Sequence, residues 1–237
     1  MGKQSKAAIS LIVLTTTFAF LLPGCGGPHY PSSRAGQILQ KADKAMSVVT
    51  SYKEQCVVWT HVRSAAVVPR LEDRIDTVGN LEIRNADNSA PIFHSITQSG
   101  INEKKYETYG LGGFTYYVAN AGNWVKKHTK TVPLPFVTPK ALAEMSRNAR
   151  NIQITSRTDG TYDVSFQIKL SASNQYRGAA YRIEKSSWHI IRAVMEVQSG
   201  SDIGTYKYTI DVTLTSTDEP FAIVLPKGLK SARETTI

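Results

Sequence analysis

Thr161-Tyr162-Asp163-Val164-Ser165-Phe166-Gln167-Ile168-Lys169-Leu170 alternates polar and apolar side chains without a break. Further on, Thr205-Tyr206-Lys207-Tyr208-Thr209-Ile210-Asp211-Val212-Thr213-Leu214-Thr215 does the same. A period of two over such a length is a β-strand with one apolar and one wet face, the mark of an antiparallel sheet with solvent on one side. A third run sets Ile191, Ala193, Met195 and Val197 against Arg192, Glu196 and Gln198.

Shorter runs of strand character fill the chain around these three. They are Tyr52–Arg63, Arg74–Arg84, Pro91–Gln98, Glu103–Tyr109, Phe114–Ala119, Asn123–Lys127 and Asn151–Arg157. Turn chemistry separates several of them: Gln98-Ser99-Gly100, Gly110-Leu111-Gly112-Gly113, Asn120-Ala121-Gly122-Asn123 and Thr158-Asp159-Gly160. Two stretches instead follow helical spacing. Ser32 or Ser33 caps a run to about Val49 whose apolar positions are Ile38, Ala42, Ala45, Met46 and Val49. Thr138 and Pro139 open a second, with Leu142, Met145 and Ala149 on one side. The Val132-Pro133-Leu134-Pro135-Phe136 stretch before it lacks the donors of a strand and reads as a loop at the rim or mouth of the sheet.

A sheet with one apolar face must cover that face, and so few helices cannot cover about ten flat strands. The expected class is α+β, mostly β: a strongly curved antiparallel sheet, a half-open barrel, wrapped around two or three helices. An incompletely filled concave side leaves an apolar cavity. Its expected lining is Val164, Phe166, Ile168, Tyr208, Ile210 and Val212, with Leu142 and Met145 in a helical lid.

The N-terminus has the parts of an export signal: Lys3 and Lys6, an apolar stretch from Ala7 to Leu22, and no acidic residue before Cys25. Leu22-Pro23-Gly24-Cys25 resembles a bacterial lipobox, with Pro23 as its departure from the usual residues. That resemblance implies lipidation of Cys25 and removal of residues 1–24. Residues 25–33 then form a short tether, and residues 34–237 a single domain held at the outer face of a membrane. No later apolar run approaches the length of a membrane span.

The full chain carries +9, and the loss of Lys3 and Lys6 leaves about +7. Such a charge suits anionic lipid head groups or wall polymers. The basic residues are scattered, and nucleic acid is not expected as a partner of an exported protein. With Cys25 lipidated, Cys56 has no disulfide partner and reads as a small buried hydrophobe.

Signals for catalysis or cofactors are missing from the sequence. His29, His61, His94, His128 and His189 are all more than four residues apart, with no H-E-x-x-H and no G-x-S-x-G. Gly110 to Gly113 precede a strand and so cannot cradle phosphates in the Rossmann manner. No catalytic residue, metal site or cofactor is expected. Trp59, Trp124, Trp188 and the tyrosines read as strand and core residues, or as an aromatic lining for a lipid or sugar.

The order of elements resembles the LolA/LolB-type lipoprotein carriers and their relatives of the LppX/LprG kind. Three local patterns carry the likeness. The opening helix runs through Ala45-Met46-Ser47-Val48-Val49-Thr50-Ser51-Tyr52 into a strand. A hairpin joins Tyr116-Tyr117-Val118 to Gly122-Asn123-Trp124-Val125-Lys126. The chain closes with Tyr206-Lys207-Tyr208-Thr209-Ile210 and Phe221-Ala222-Ile223-Val224-Leu225-Pro226 as a strand pair. The resemblance implies a half-barrel with a helical lid and a cavity for acyl chains. The expected function is to bind, carry or sense a lipid or acylated ligand in the cell envelope. The alternative is an interaction module that binds a partner protein through the same half-barrel, without lipid cargo.

Overall fold

The computed structural model describes residues 30–63, 74–84, 91–100, 103–118, 123–129, 136–147, 149–169, 176–201 and 204–234. Residues 1–29, with the signal-like segment and Cys25, lie outside them. So do Asn120 to Gly122, Val132 to Pro135 and Leu170.

Helix α1 (Arg34–Met46) starts on Ser33, whose hydroxyl accepts the Gly36 amide at 3.2 Å. Six strands follow: β1 (Tyr52–Arg63), β2 (Arg74–Arg84), β3 (Ile92–Ser99), β4 (Lys105–Leu111), β5 (Phe114–Val118) and β6 (Trp124–His128). Helix α2 (Pro139–Ser146) is capped by Thr138 with Pro139 in its first turn, as the sequence predicts. Then come β7 (Ala149–Ser156), β8 (Thr161–Lys169), β9 (Tyr176–Glu184), β10 (Ile190–Ser201), β11 (Gly204–Thr217) and a two-residue β12 (Arg233–Glu234).

The strands form one sheet in the order β12-β6-β5-β4-β3-β2-β1-β11-β10-β9-β8-β7. All neighbours are antiparallel except β12, which runs parallel to β6. The seam is β1 against β11, from Tyr52 opposite Thr217 to Arg63 opposite Thr205. Each half is a meander that starts or ends at that seam. A flat sheet would place β3 and β8 about 29 Å apart at 4.8 Å per strand. Yet Phe93 of β3 and Val164 of β8 belong to one buried cluster with both helices. The sheet is therefore curled into a half-open barrel around α1 and α2. Register shifts in the pairing of β1 with β2, β1 with β11, β9 with β10 and β7 with β8 supply local bends.

Four details differ from the expectation. There are twelve strands, and β9 and β12 are the additions. Tyr181 and Ile183 of β9 alternate with Arg182 and Glu184 in the ordinary way, so its pattern was present but unused. In β10 the alternation starts on Ile190, because a bulge at Ile191 shifts the face; Ile190, Ala193 and Met195 are the buried residues. In α1, Leu39 is fully buried while Ala45 is only half-buried, so the apolar stripe is rotated towards Leu39. Finally, Phe221–Pro226 is not a strand. Pro220 and Pro226 bracket it without donors, and Val224 is 81% exposed.

Candidate ligand-binding face

The concave side of the sheet is built by one parity of each strand. On β1 these residues are Tyr52, Glu54, Cys56 and Val58, all buried. Pairing carries the face to Leu81 and Ile83 on β2, to Phe93, Ser95 and Thr97 on β3, then to Gly110, Thr108 and Tyr106 on β4. It ends on Tyr117 and Thr115 of β5 and on Val125 of β6. In the other direction it runs through Val212 and Ile210 of β11 and Ala193 and Met195 of β10.

Both helices lie over this second direction and are fixed there by polar contacts. Arg147 reaches Asp43 through two nitrogens, each at 3.2 Å, which ties α2 to α1. The Tyr181 hydroxyl of β9 donates to the Leu142 carbonyl at 2.7 Å in a buried site. The Ile190 amide meets the Met46 sulfur at 3.2 Å. Among the expected lining residues, Val164, Phe166, Ile210, Val212, Leu142 and Met145 belong to this one buried cluster. Ile168 and Tyr208 are partly buried and packed against it.

Towards β6 the concave face is less covered. Aromatic rings fold onto glycines at its start: a Cβ on Gly110 would sit 2.1 Å from Phe93, and one on Gly79 would sit 2.8 Å from Phe136. Beyond Phe93, Thr97, Thr108, Thr115, Tyr117 and Val125 are only half-buried. Tyr106 is 48% exposed. The face thus passes from a filled core to an open, aromatic and threonine-rich mouth.

Within the buried part of this face stands a carboxylate that is not among the expected lining residues. Glu54 is 2% exposed. Its Oε1 accepts the Val137 amide at 3.0 Å, where the chain passes from Phe136 into α2. Its Oε2 has no hydrogen-bond partner among the described residues, and neither has the hydroxyl of Tyr52, two residues before it. Burial pushes the Glu54 carboxyl up to about 8, partly offset by the Val137 amide. Burial, with Glu54 nearby, also drives Tyr52 and Cys56 upward. The signal for Glu54 was its parity: it shares a face with Tyr52, Cys56 and Val58.

The convex side is polar. Between β7 and β10 it carries an open cleft of about 330 Å³ whose charged groups are Asp163, Arg182 and Arg192. Arg157 and Arg182 hold Asp163 at 2.8 and 2.9 Å, lowering its pKa, and Asp211 holds Arg192 at 2.6 Å. These charges satisfy one another. Over the β1–β6 half the convex side is crossed by the C-terminal segment: Lys53 lies 4.9 Å from the Phe221 ring. A Cβ on Gly228 would stand 3.7 Å from Trp124, and Arg233–Glu234 pairs with Val125–Lys126. Beneath it His94 stacks on Tyr109 at 4.4 Å and bonds Glu107 at 2.9 Å. No group of three or more His, Cys, Asp or Glu among the described residues is placed to hold a metal ion.

No family model and no curated protein matches the chain. Among solved structures, LprF from Mycobacterium bovis superposes with a TM-score of 0.53 at 16% identity, over 84% of this chain and 99% of that one. The chain has the fold of LprF. Two looser matches are a LolA superfamily protein, NE2245, from Nitrosomonas europaea and the MucA/MucB complex of Pseudomonas aeruginosa. The first has a TM-score of 0.31 at 10% identity, over 80% of this chain and 96% of that one. The second has 0.36 at 12%, over 80% and 59%. The half-barrel expected from the order of elements is thus present, with the fold that LprF has.

Proposed function

We propose that this protein is a membrane-anchored bacterial lipoprotein that binds, carries or senses a lipid or other acylated ligand in the cell envelope. The observation that carries the reading is the unequal cover of one apolar concave face. Two short helices fill it over β8–β11, while its β4–β6 end stays half-open beside Tyr106, Tyr117 and Val125. An acyl chain entering there leaves water at a gain of roughly 0.8 kcal/mol per CH₂. No chemistry is required of the protein, so the role is binding and not catalysis. The fold shared with LprF supports the same reading.

In this proposal residues 1–24 are removed, Cys25 bears the lipid, and residues 25–33 join it to the domain that begins with α1. Tyr30 already packs against the core, and Pro31 lies against Gly36, so the free part of the tether is shorter than its sequence suggests. The mature protein would sit close to the outer face of the membrane, its basic charge facing anionic head groups.

The test uses the chain from residue 26 onward, stripped of lipid, titrated with a fluorescent fatty acid and examined by native mass spectrometry after exposure to membrane extract. Saturable binding and a co-purifying lipid are expected. Absence of both, with folding verified by circular dichroism, would favour the partner-protein alternative. Labelling with an alkyne fatty acid, compared with Cys25→Ala, tests the anchor separately.

A further inference from the structure

We propose that Glu54 and Tyr52 form a polar subsite in the floor of the concave face, which receives a hydroxyl or primary amide group of a ligand whose hydrocarbon part lies along that face. The inference rests on the hydrophobe-binding reading above and adds the chemistry by which the ligand is chosen.

Buried polar atoms nearly always have partners, and each that lacks one costs free energy. Here two stand together, Glu54 Oε2 and the Tyr52 hydroxyl, at alternate positions of one strand and on one side of the sheet. Their surroundings offer no substitute. Across the pairing, Glu54 meets Leu81 of β2 and Leu214 of β11; Tyr52 meets Ile83 of β2 and Thr217 of β11, whose hydroxyl is bonded to His189 at 2.8 Å. On β1 itself Cys56 follows, and from the α2 side come Phe136 and Val137, both buried. Among the described residues, no cation contributes to the state of the Glu54 carboxyl. A structural carboxylate in such a place would have been cheaper as leucine or methionine.

The location suits a ligand site. Glu54 also holds Val137, at the turn into α2, and lies in the buried part of the concave face, two strands from Thr97, where that face begins to open. Burial pushes its carboxyl up to about 8 and so favours the protonated form, which both donates and accepts. Tyr52 does the same. A hydroxyl or primary amide, which also does both, complements the pair; a bare hydrocarbon end leaves both unsatisfied, and a charged head group would be desolvated without a counter-ion.

The experiment measures the affinity of oleyl alcohol, oleamide and the matching hydrocarbon octadec-9-ene by displacement of a bound fluorescent apolar dye. Each is measured on the chain from residue 26 onward and on Tyr52→Phe, Glu54→Met and Glu54→Gln. Tyr52→Phe and Glu54→Met should weaken the alcohol and the amide about tenfold and leave the hydrocarbon within about twofold. Glu54→Gln, which can still donate and accept, should keep most of the affinity. Tyr52→Phe removes one oxygen only, so it tests the subsite even where Glu54→Met fails to fold. Equal changes for all three ligands, or none for any, would overturn the subsite and leave hydrophobe binding standing. Failure of all three to bind the unsubstituted chain would overturn both.

Discussion

The two halves of the sheet are closed from opposite sides. From β7 to β11 the apolar face looks inward at α1 and α2, and the convex side is left to water and paired charges. From β2 to β6 the convex side is covered by the C-terminal segment, with Tyr109 5% and Leu229 5% exposed. There it is the concave side that stays partly open. The first half is organised as a core. The second has its stabilising cover moved to the back, which leaves the front available.

This comparison predicts that stability and binding separate by region. Leu142→Ala, in the helix-covered half at 0% exposure, should cost about 2–5 kcal/mol in urea unfolding. Val125→Lys, half-buried on the open concave face, should cost less than about 1 kcal/mol yet reduce binding of a fluorescent fatty acid at least about fivefold. If Leu142→Ala abolished binding at unchanged stability, or Val125→Lys unfolded the protein without touching binding, the division would be wrong.

Glu54 gives the next largest effect. The Glu54 carboxyl is moved from its ordinary 4.5 up to about 8 by burial. Below pH 4.5 it is protonated in both folded and unfolded chains and contributes no pH dependence. Between 4.5 and about 8 the unfolded chain releases a proton that the folded chain keeps, so stability falls as pH rises. Above about 8 the penalty is complete. At about 1.4 kcal/mol per unit it amounts to a few kcal/mol. Glu54→Gln removes that slope, so its advantage over the unsubstituted protein should be absent near pH 4.5 and largest at pH 8. Parallel stability–pH curves for the two would show that Glu54 titrates as in water.

The same residues show how much could be read before the structure. The uninterrupted alternations around Val164 and Ile210 fixed their faces correctly, because a period of two leaves no freedom once one face is buried. Both helix starts were legible, since Ser33 and Thr138 act through local hydrogen bonds. Ile191 was misplaced because a bulge depends on the partner strand, not on its own sequence. Phe221–Pro226 misled because its hydrophobic residues resemble a strand, whereas its flanking prolines prevent pairing. Glu54 was visible by parity, but its missing partner depends on Leu81, Leu214 and Val137, three elements far apart in sequence. Arrangements made by distant elements were the part the sequence withheld.

The C-terminal segment provides a smaller effect that sharpens the contrast. Leu229→Ala removes the buried anchor of the 3₁₀ turn at Leu229–Ser231 and should cost about 2 kcal/mol. Because Gly228 lies against Trp124, tryptophan emission should shift to the red as that ring meets water. On this account ligand affinity survives, since the segment lies on the convex side. A loss of affinity matching that of Val125→Lys would mean that the back cover sets the shape of the front face.

The smallest effect belongs to the charges on the other convex half. Arg192 pairs with Asp211 across β10 and β11, with 47% and 23% of the two side chains exposed. Water and salt screen such a pair, so Arg192→Ala should change stability by less than about 1 kcal/mol. That difference should shrink further in 1 M salt, where the screening length is about 3 Å. The outcome matters because the cleft there is a place where a polar ligand would compete with the concave-face reading. A ligand anchored by Arg192 would have to displace Asp211, and its affinity would fall steeply with salt. An acyl ligand held on the concave face would bind as tightly in 1 M salt as in dilute buffer, and Arg192→Ala would leave its affinity unchanged.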